Sequence, residues 1–269
     1  MKNTKIAFIG CGNMATAMIS GILKKRVITP SNIFVSDNDK SKLTTFSKLG
    51  VHTSTNNQEG VDFANYVFLT IKPQQYSQAL QALDNTKDKV FVTVAPGISI
   101  DCIVKHVGHG KVVRTMPNTP ALIGKGVTAI CYSNKITDQE KTVMTKLLNS
   151  FGTSYEIKES QMDGIIPLTG SSPALVYSLI DTMAEFGKQL GIDKALAIKM
   201  VSETFAGATL MVLQSDESPQ TLCDRVCSKG GTTQEMLSSL DAGNFKEIIV
   251  KSMTACINRA KELSVKHQP

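Results

Sequence analysis

The 269-residue sequence has no block of basic residues, no CxxC pair and no uninterrupted apolar run of membrane-spanning length, and each absence narrows what the chain can be. Its 29 Lys and Arg against 23 Asp and Glu give a formal net charge of +6, but the cations are scattered along the chain. A nucleic-acid interface needs a basic stripe, so no nucleic-acid partner is expected, and a ligand carrying several phosphates accounts for positive potential equally well. The cysteines at 11, 102, 131, 223, 227 and 256 lack the paired spacing of a zinc site or a disulfide framework. Cys223 and Cys227 could share a helix face, yet no second ligand pair lies near them, so no metal is expected. This cysteine usage fits a reducing, cytoplasmic compartment. Near the N-terminus, Lys2 and Lys5 precede the apolar residues 6–9, but Gly10, Gly12 and Asn13 break the run before it resembles a secretory signal. No stretch reaches the roughly 20 uninterrupted apolar residues of a bilayer span, so no membrane association is expected. Internal repeats and low-complexity segments are missing too.

What is present is an ordinary globular composition, 42% apolar and 19% charged, long enough for two modest domains. Residues 5–9, 33–36, 51–53, 66–71, 90–94 and 112–115 read as short strands, with 129–132 as a further one. Met14, Met18 and Ile22 recur at helical spacing over 14–24, and a polar helix is expected over about 39–49. Short apolar strands alternating with helices predict a doubly wound, mostly parallel α/β sheet. From about residue 163 strand signals stop and long helical patterns take over, through 190, then 194–213 and 245–263. The expected division is residues 1–164 as a dinucleotide-binding α/β domain and 165–269 as an all-α domain. Residues 175–186 and 195–213 are apolar on more than one face and rich in small residues such as Ala206, Gly207 and Ala208. A helix apolar all round must be covered on all sides, and about a hundred residues supply too few helices to do it. A partner copy of the chain is therefore expected, giving an obligate homodimer.

Directly after the first strand, Gly10-Cys11-Gly12-Asn13-Met14-Ala15 has the form GxGxxA. The first glycine permits the tight turn, the second lets a pyrophosphate approach the backbone, and the small alanine allows close helix packing. The helix start at Asn13 and Met14 then offers free N–H groups to phosphate. The second strand ends at Ser36-Asp37-Asn38-Asp39, where an adenosine ribose belongs. Asp37 there favours a free 2′-hydroxyl, whereas Ser36, with Lys40 and Lys42 nearby, could receive a 2′-phosphate; Asp37 and Asn38 could instead cap the next helix. The choice between NADH and NADPH stays open. Lys72-Pro73, the turn of Ala95, Pro96 and Gly97, and the loop from Met116 to Pro120 containing Asn118 each follow a strand, at the sheet edge where open parallel sheets bind ligands.

A second motif lies far downstream. Arg225-Val226-Cys227-Ser228-Lys229-Gly230-Gly231-Thr232-Thr233 precedes a helical stretch, and its glycines and hydroxyls suit an anion cradle built from Ser228, Gly230, Gly231, Thr232 and Thr233. The run 219–241, with Leu222, Val226, Cys227, Ser228, Gly230, Gly231, Thr233, Leu237, Leu240 and Asp241 in register, resembles the signature of the pyrroline-5-carboxylate reductases. The GxGxMA turn, Lys72-Pro73, the Met116 to Pro120 run and Gly170-Ser171-Ser172-Pro173-Ala174 resemble that family as well. The chain departs from its pattern at Lys229, where proline is usual, at Met236, where a small residue is usual, and at Ser172, where glycine is general.

The resemblance implies a Rossmann-type domain followed by a helical dimerisation domain, sometimes assembled as a ring of dimers. It also implies NAD(P)H-dependent reduction of 1-pyrroline-5-carboxylate to L-proline, the last step of proline biosynthesis. By the same resemblance Thr233 hydrogen-bonds the imine nitrogen as the catalytic residue, and Asn57 lies near the adenine ribose, although its sequence position equally suits a helix cap or turn residue. A threonine hydroxyl is a poor acid, so it would orient the imine and relay a proton from water, or meet a substrate already protonated in solution. No catalytic histidine is then required, and His52, His106, His109 and His267 fall outside both motifs and are expected at the surface. A β-hydroxyacid dehydrogenase or related imine reductase is the alternative enzyme, disfavoured for the dehydrogenase because no lysine follows Gly170 until Lys188. A non-catalytic dinucleotide-binding regulatory module is the alternative of another class, disfavoured by the complete cradle.

Overall fold

The computed structural model describes Met1 and residues 3–266; His267 lies outside the described residues. By packing, the chain divides into two units, Met1–Ser171 with the chain from Cys256 onward, and Ser172–Ala255.

The first unit is built on short, mainly apolar segments that are buried as central strands. These are β1 (Ile6–Ile9), β2 (Ile33–Ser36), β4 (Tyr66–Leu69), β5 (Val90–Thr93) and β6 (Val112–Met116), buried along their whole length. Shorter β3 (His52–Ser54) closes one edge, and β7 (Gly126–Tyr132) and β8 (Gly152–Glu156) close the other. The strand order is β3-β2-β1-β4-β5-β6-β7-β8, parallel except where β6 meets β7. Between strands run α1 (Asn13–Lys24), α2 (Lys40–Lys48), α3 (Asn57–Phe63), α4 (Tyr76–Gln81), α5 (Ile100–Val107) and α6 (Asp138–Leu148). Alternation along β1 feeds both faces: Ile6 and Phe8 join Met18, Ile22, Val35 and Phe68 in one core, while Ala7 and Ile9 join Val61, Val67, Phe91 and Ile103 in the other. Two buried faces are what a parallel sheet wrapped by helices requires.

The sheet is doubly wound, because the chain leaves β1 toward β2 and β3 and returns on its other side as β4. The crevice that this reversal opens at the carboxyl ends of β1 and β4 is the usual ligand seat of such sheets. Gly10 and Lys72 lie there. The polar half-exposed edge strand β8 is an addition to the strands read from sequence, as are the short helices α3 to α6.

The second unit contains α7 (Ser172–Gln189), α8 (Lys194–Gln214), α9 (Pro219–Val226) and α10 (Thr232–Ala242), and α11 (Phe245–Lys266) begins in it. Lys194, at the start of α8, pairs with Asp181 at 3.0 Å and with Glu185, pinning α8 to α7. Of the whole of α8 only Ala197 is buried, and Leu210, Met211 and Leu213 are 50%, 59% and 72% exposed. Helix α8 is also, by length and composition, apolar enough to cross a membrane, although Lys199, Glu203 and several hydroxyl residues interrupt it. The apolar surface expected from the sequence is thus real and uncovered by this chain alone.

Candidate functional site

The glycine turn has the form its sequence requires. Gly10 takes φ +94°, and a Cβ there would lie 2.7 Å from Ile71 Cγ2 and 2.9 Å from the Thr70 carbonyl oxygen, so only glycine fits. The Gly10 amide donates to the Ser36 carbonyl at 2.7 Å, and the Thr70 hydroxyl donates to the Gly10 carbonyl at 2.6 Å, tying the ends of β1, β2 and β4 together. A Cβ on Gly12 would meet nothing within 4 Å, so the space beside it is open for a close ligand approach. Gly12 is also the N-cap of α1 and supplies no side-chain cap, which leaves the N–H groups of Asn13, Met14 and Ala15 free of intrahelical partners. Open space, a free helix N-terminus and its positive dipole fit a pyrophosphate.

Beside this turn is a pocket of about 510 Å³. It gathers Gly10, Ser36, Asp37, Lys42, Asn57 and Lys72 of the residues singled out in the sequence, and adds Gln75. Pro73, Ala95, Gly97, Gly12, Asn13 and Met14 do not line it. Ala95 and Gly97 follow β5 at the same edge of the sheet, both buried, with Gly97 at φ +76°.

Four of the singled-out side chains have bonding that the sequence alone does not give. Ser36 is fully buried and its hydroxyl donates to Asn57 Oδ1 at 2.8 Å, so it is not available to a ligand phosphate. Asp37 does not cap the following helix, since Asp39 does so by accepting from the Ser41 amide at 3.0 Å. Instead Asp37 accepts from the Cys11 amide inside the glycine turn and from the Asp39 amide, each at 2.9 Å. Asn57 is likewise no cap, a role held by Asn56. Asn118 is buried, and both ends of its amide are engaged: Nδ2 donates to the Thr169 carbonyl at 3.0 Å and Oδ1 accepts from the Val127 amide at 2.8 Å. Its side chain fastens β7 to the chain before α7 and is not free for a ligand.

Electrostatics in the pocket follow from these bonds. Burial alone would raise the Asp37 carboxyl, but the Cys11 and Asp39 amides and nearby Lys42 outweigh it and hold the group below the usual carboxylate range. Burial and the hydrogen bond to Asp37 push the Cys11 thiol up to about 12, so it stays protonated and unreactive at neutral pH. His52 is exposed as expected, whereas His106 and His109 are half-buried, with His106 Nδ1 2.8 Å from the Cys102 carbonyl.

In the second unit, α9 ends at Val226 and the chain turns through Gly230, at φ +70°, into α10. A Cβ on Gly231 would crowd the Ser228 hydroxyl and lie 3.0 Å from the Ser228 carbonyl oxygen, so a side chain there would force the turn to adjust. The Gly230 amide donates to Gln234 Oε1 at 2.6 Å and the Gly231 amide to the Ser228 carbonyl at 2.9 Å. The glycine N–H groups expected to face a ligand are therefore engaged within the turn. Gly231 caps α10 without a side chain, which leaves the amides of Thr232, Thr233 and Gln234 as the free donors, with the hydroxyls of Ser228, Thr232 and Thr233 close in sequence. Gln234 is a shaping residue that sequence reading missed, because glutamine one turn after glycine is common in any helix start. A shallow concavity of about 440 Å³ on one side of the turn is lined by Gly230, Gly231, Thr232, Gln234 and Glu235, and neither Ser228 nor Thr233 lines it. Lys229 and Met236 are exposed, so two of the three family departures alter surface and not core.

The chain is similar to known proteins along nearly its whole length. Residues 159–263 match the family model described as pyrroline-5-carboxylate reductase dimerisation, and residues 5–97 match one described as NADP oxidoreductase, coenzyme F420-dependent. The pyrroline-5-carboxylate reductase of Escherichia coli is 31% identical over 97% of this chain and 98% of its own length. The structure of a pyrroline-5-carboxylate reductase from Coxiella burnetii superposes with a TM-score of 0.89 at 32% identity, covering 97% of this chain and 99% of that one. The Plasmodium falciparum pyrroline carboxylate reductase, solved with NADP bound, gives 0.88 at 29% identity over 98% and 99%. On identity and coverage along nearly the whole chain, this protein belongs to the pyrroline-5-carboxylate reductase family.

Proposed function

We propose that the chain reduces 1-pyrroline-5-carboxylate to L-proline with NAD(P)H, the last step of proline biosynthesis. The observation that carries this reading is the α10 entry turn, whose uncapped amides at Thr232, Thr233 and Gln234 sit among three hydroxyl residues in a chain whose other unit offers a dinucleotide seat. The substrate is a small ring with one carboxylate, and free helix amides with hydroxyl donors match a carboxylate. Gly230 and Gly231 shape the turn, Ser228 and Thr232 supply hydroxyls, and Thr233 holds the imine nitrogen and passes a proton from water to it as the C=N bond is reduced. When bound, the dinucleotide supplies the hydride that reaches the imine carbon. Asn13 and Met14 hold its pyrophosphate with Gly10 and Gly12 giving room, while Asp37 and Asn57 take the adenosine ribose. Lys72, Pro73, Ala95, Gly97 and the backbone at Asn118 lie along the sheet edge that receives the rest of the cofactor.

The functional division we propose is residues 1–164 for the cofactor and 165–269 for substrate and pairing. The exposed apolar faces of α7 and α8 are covered by a second copy of the chain, which the description of the matching family model supports and which leaves no need for a bilayer. A ring of dimers, a cytoplasmic location and the lack of nucleic-acid and membrane partners follow the family and the scattered charge. The test is steady-state oxidation of NADH and of NADPH by the purified chain with 1-pyrroline-5-carboxylate. One L-proline should form per cofactor oxidised, and failure to form proline with either cofactor refutes the activity.

A further inference from the structure

We propose that the adenosine end of the pocket selects a dinucleotide with a free 2′-hydroxyl, so that the chain binds NADH in preference to NADPH, with Asp37 as the residue that sets the choice. The inference rests on reading the first unit as a dinucleotide site.

Asp37 stands immediately after β2, where the ribose of a dinucleotide lies in this fold. Its two oxygens are each held by a backbone amide, from Cys11 and from Asp39 at 2.9 Å, and these belong to the glycine turn and to the start of α2. Such a carboxylate cannot swing aside to admit another anion. An ionised carboxylate has about four acceptor sites; the Cys11 and Asp39 amides and the Cys11 thiol take three, and one remains for a ribose hydroxyl. A ribose hydroxyl can donate to it. A 2′-phosphate brings no such donor and meets like charge.

The cationic and hydroxyl groups that could welcome a phosphate beside Asp37 are few. The Ser36 hydroxyl is buried and bonded to Asn57. Lys42, which lines the pocket, has its ammonium 3.8 Å from Asp39 Oδ2 and also lies near Asp37. Asp37, Asp39 and Lys42 together carry one net negative charge. Lys40 opens α2 exposed and does not line the pocket. Lys72 follows β4, two strands from β2, or roughly 10 Å at ordinary strand spacing. Among the described residues no arginine lines the pocket, although arginine is the usual partner of a 2′-phosphate.

The experiment is calorimetric titration of the full chain with ADP-ribose and with 2′-phospho-ADP-ribose, without imine substrate. ADP-ribose should bind roughly tenfold or more tightly than its phosphorylated counterpart, the scale of one fixed like-charge contact. Asp37→Ser should bring the two affinities to within about twofold or reverse their order, since the repelling charge is gone. Equal or tighter binding of the phosphorylated compound to the unaltered chain overturns the inference, and this arm needs no variant to fold. Binding of neither overturns the pocket as a cofactor site and the preference with it. A clear preference for ADP-ribose in a chain that forms no proline upholds the inference while refuting the activity.

Discussion

At the scale of single residues, the chemistry concentrates on one hydroxyl and one glycine. Thr233→Ala removes the donor assigned to the imine nitrogen while leaving the α10 amides in place. Its turnover with 1-pyrroline-5-carboxylate should fall roughly ten- to a thousandfold, the usual cost of one donor at a reacting centre. An unchanged rate takes Thr233 out of the mechanism. Gly10→Ala forces a side chain into positive φ and against the Thr70 carbonyl. Strain of this kind costs about 1–3 kcal/mol, so chemical denaturation should show a stability loss of that size, with weakened ADP-ribose binding. A variant of native stability and affinity would mean that the turn is looser than described. Gly10 and the GxGxxA spacing are legible in the sequence because one local backbone shape demands them. The bond from Cys11 to Asp37 is not, because it joins positions far apart in the chain that only the sheet brings together. For the same reason Asn118, a plausible ligand donor in a stiff loop, is a fastener whose partners the sequence does not reveal.

At the scale of elements, the central strands declare themselves because burial on both faces demands unbroken apolar runs such as Tyr66–Leu69. Edge strand β8 carries Thr153, Ser154, Tyr155 and Glu156, half of it facing solvent, and gives no such signal. An unexpected tie lies next to it. Arg114, on the buried strand β6, has its guanidinium 2.6 Å from Asp163 and 3.6 Å from Glu159, and Glu159 also accepts from the Ile100 amide at 2.7 Å. One buried arginine thus holds the segment leading toward α7 against the sheet and the start of α5. Arg114→Ala leaves two partly exposed carboxylates without their cation and a gap in the strand's packing. We expect a loss of about 3 kcal/mol by urea unfolding, the lower end for a broken buried pair because the carboxylates can be rehydrated. Stability within about 0.5 kcal/mol of the parent chain, the range of an ordinary surface substitution, contradicts that role.

At the scale of the whole molecule, α8 poses the main physical question, since so apolar a helix with one buried residue does not stay bare in water. Apolar positions on several of its faces were visible in the sequence. What the sequence could not show is that α7 and its neighbours leave those faces open. Sedimentation at low micromolar concentration should give a dimer or a multiple of dimers without detergent. A stable folded monomer, or a chain that stays in solution only with detergent, contradicts pairing. The central claim is direct reduction of a cyclic imine acid, and isotope transfer tests it most directly. The chain is incubated with 1-pyrroline-5-carboxylate and NADH carrying deuterium at the transferable position of its nicotinamide, and the product is read by mass spectrometry. The account predicts L-proline with one deuterium on the ring carbon that was the imine carbon. Unlabelled proline, or no proline from a chain that binds ADP-ribose, would contradict it.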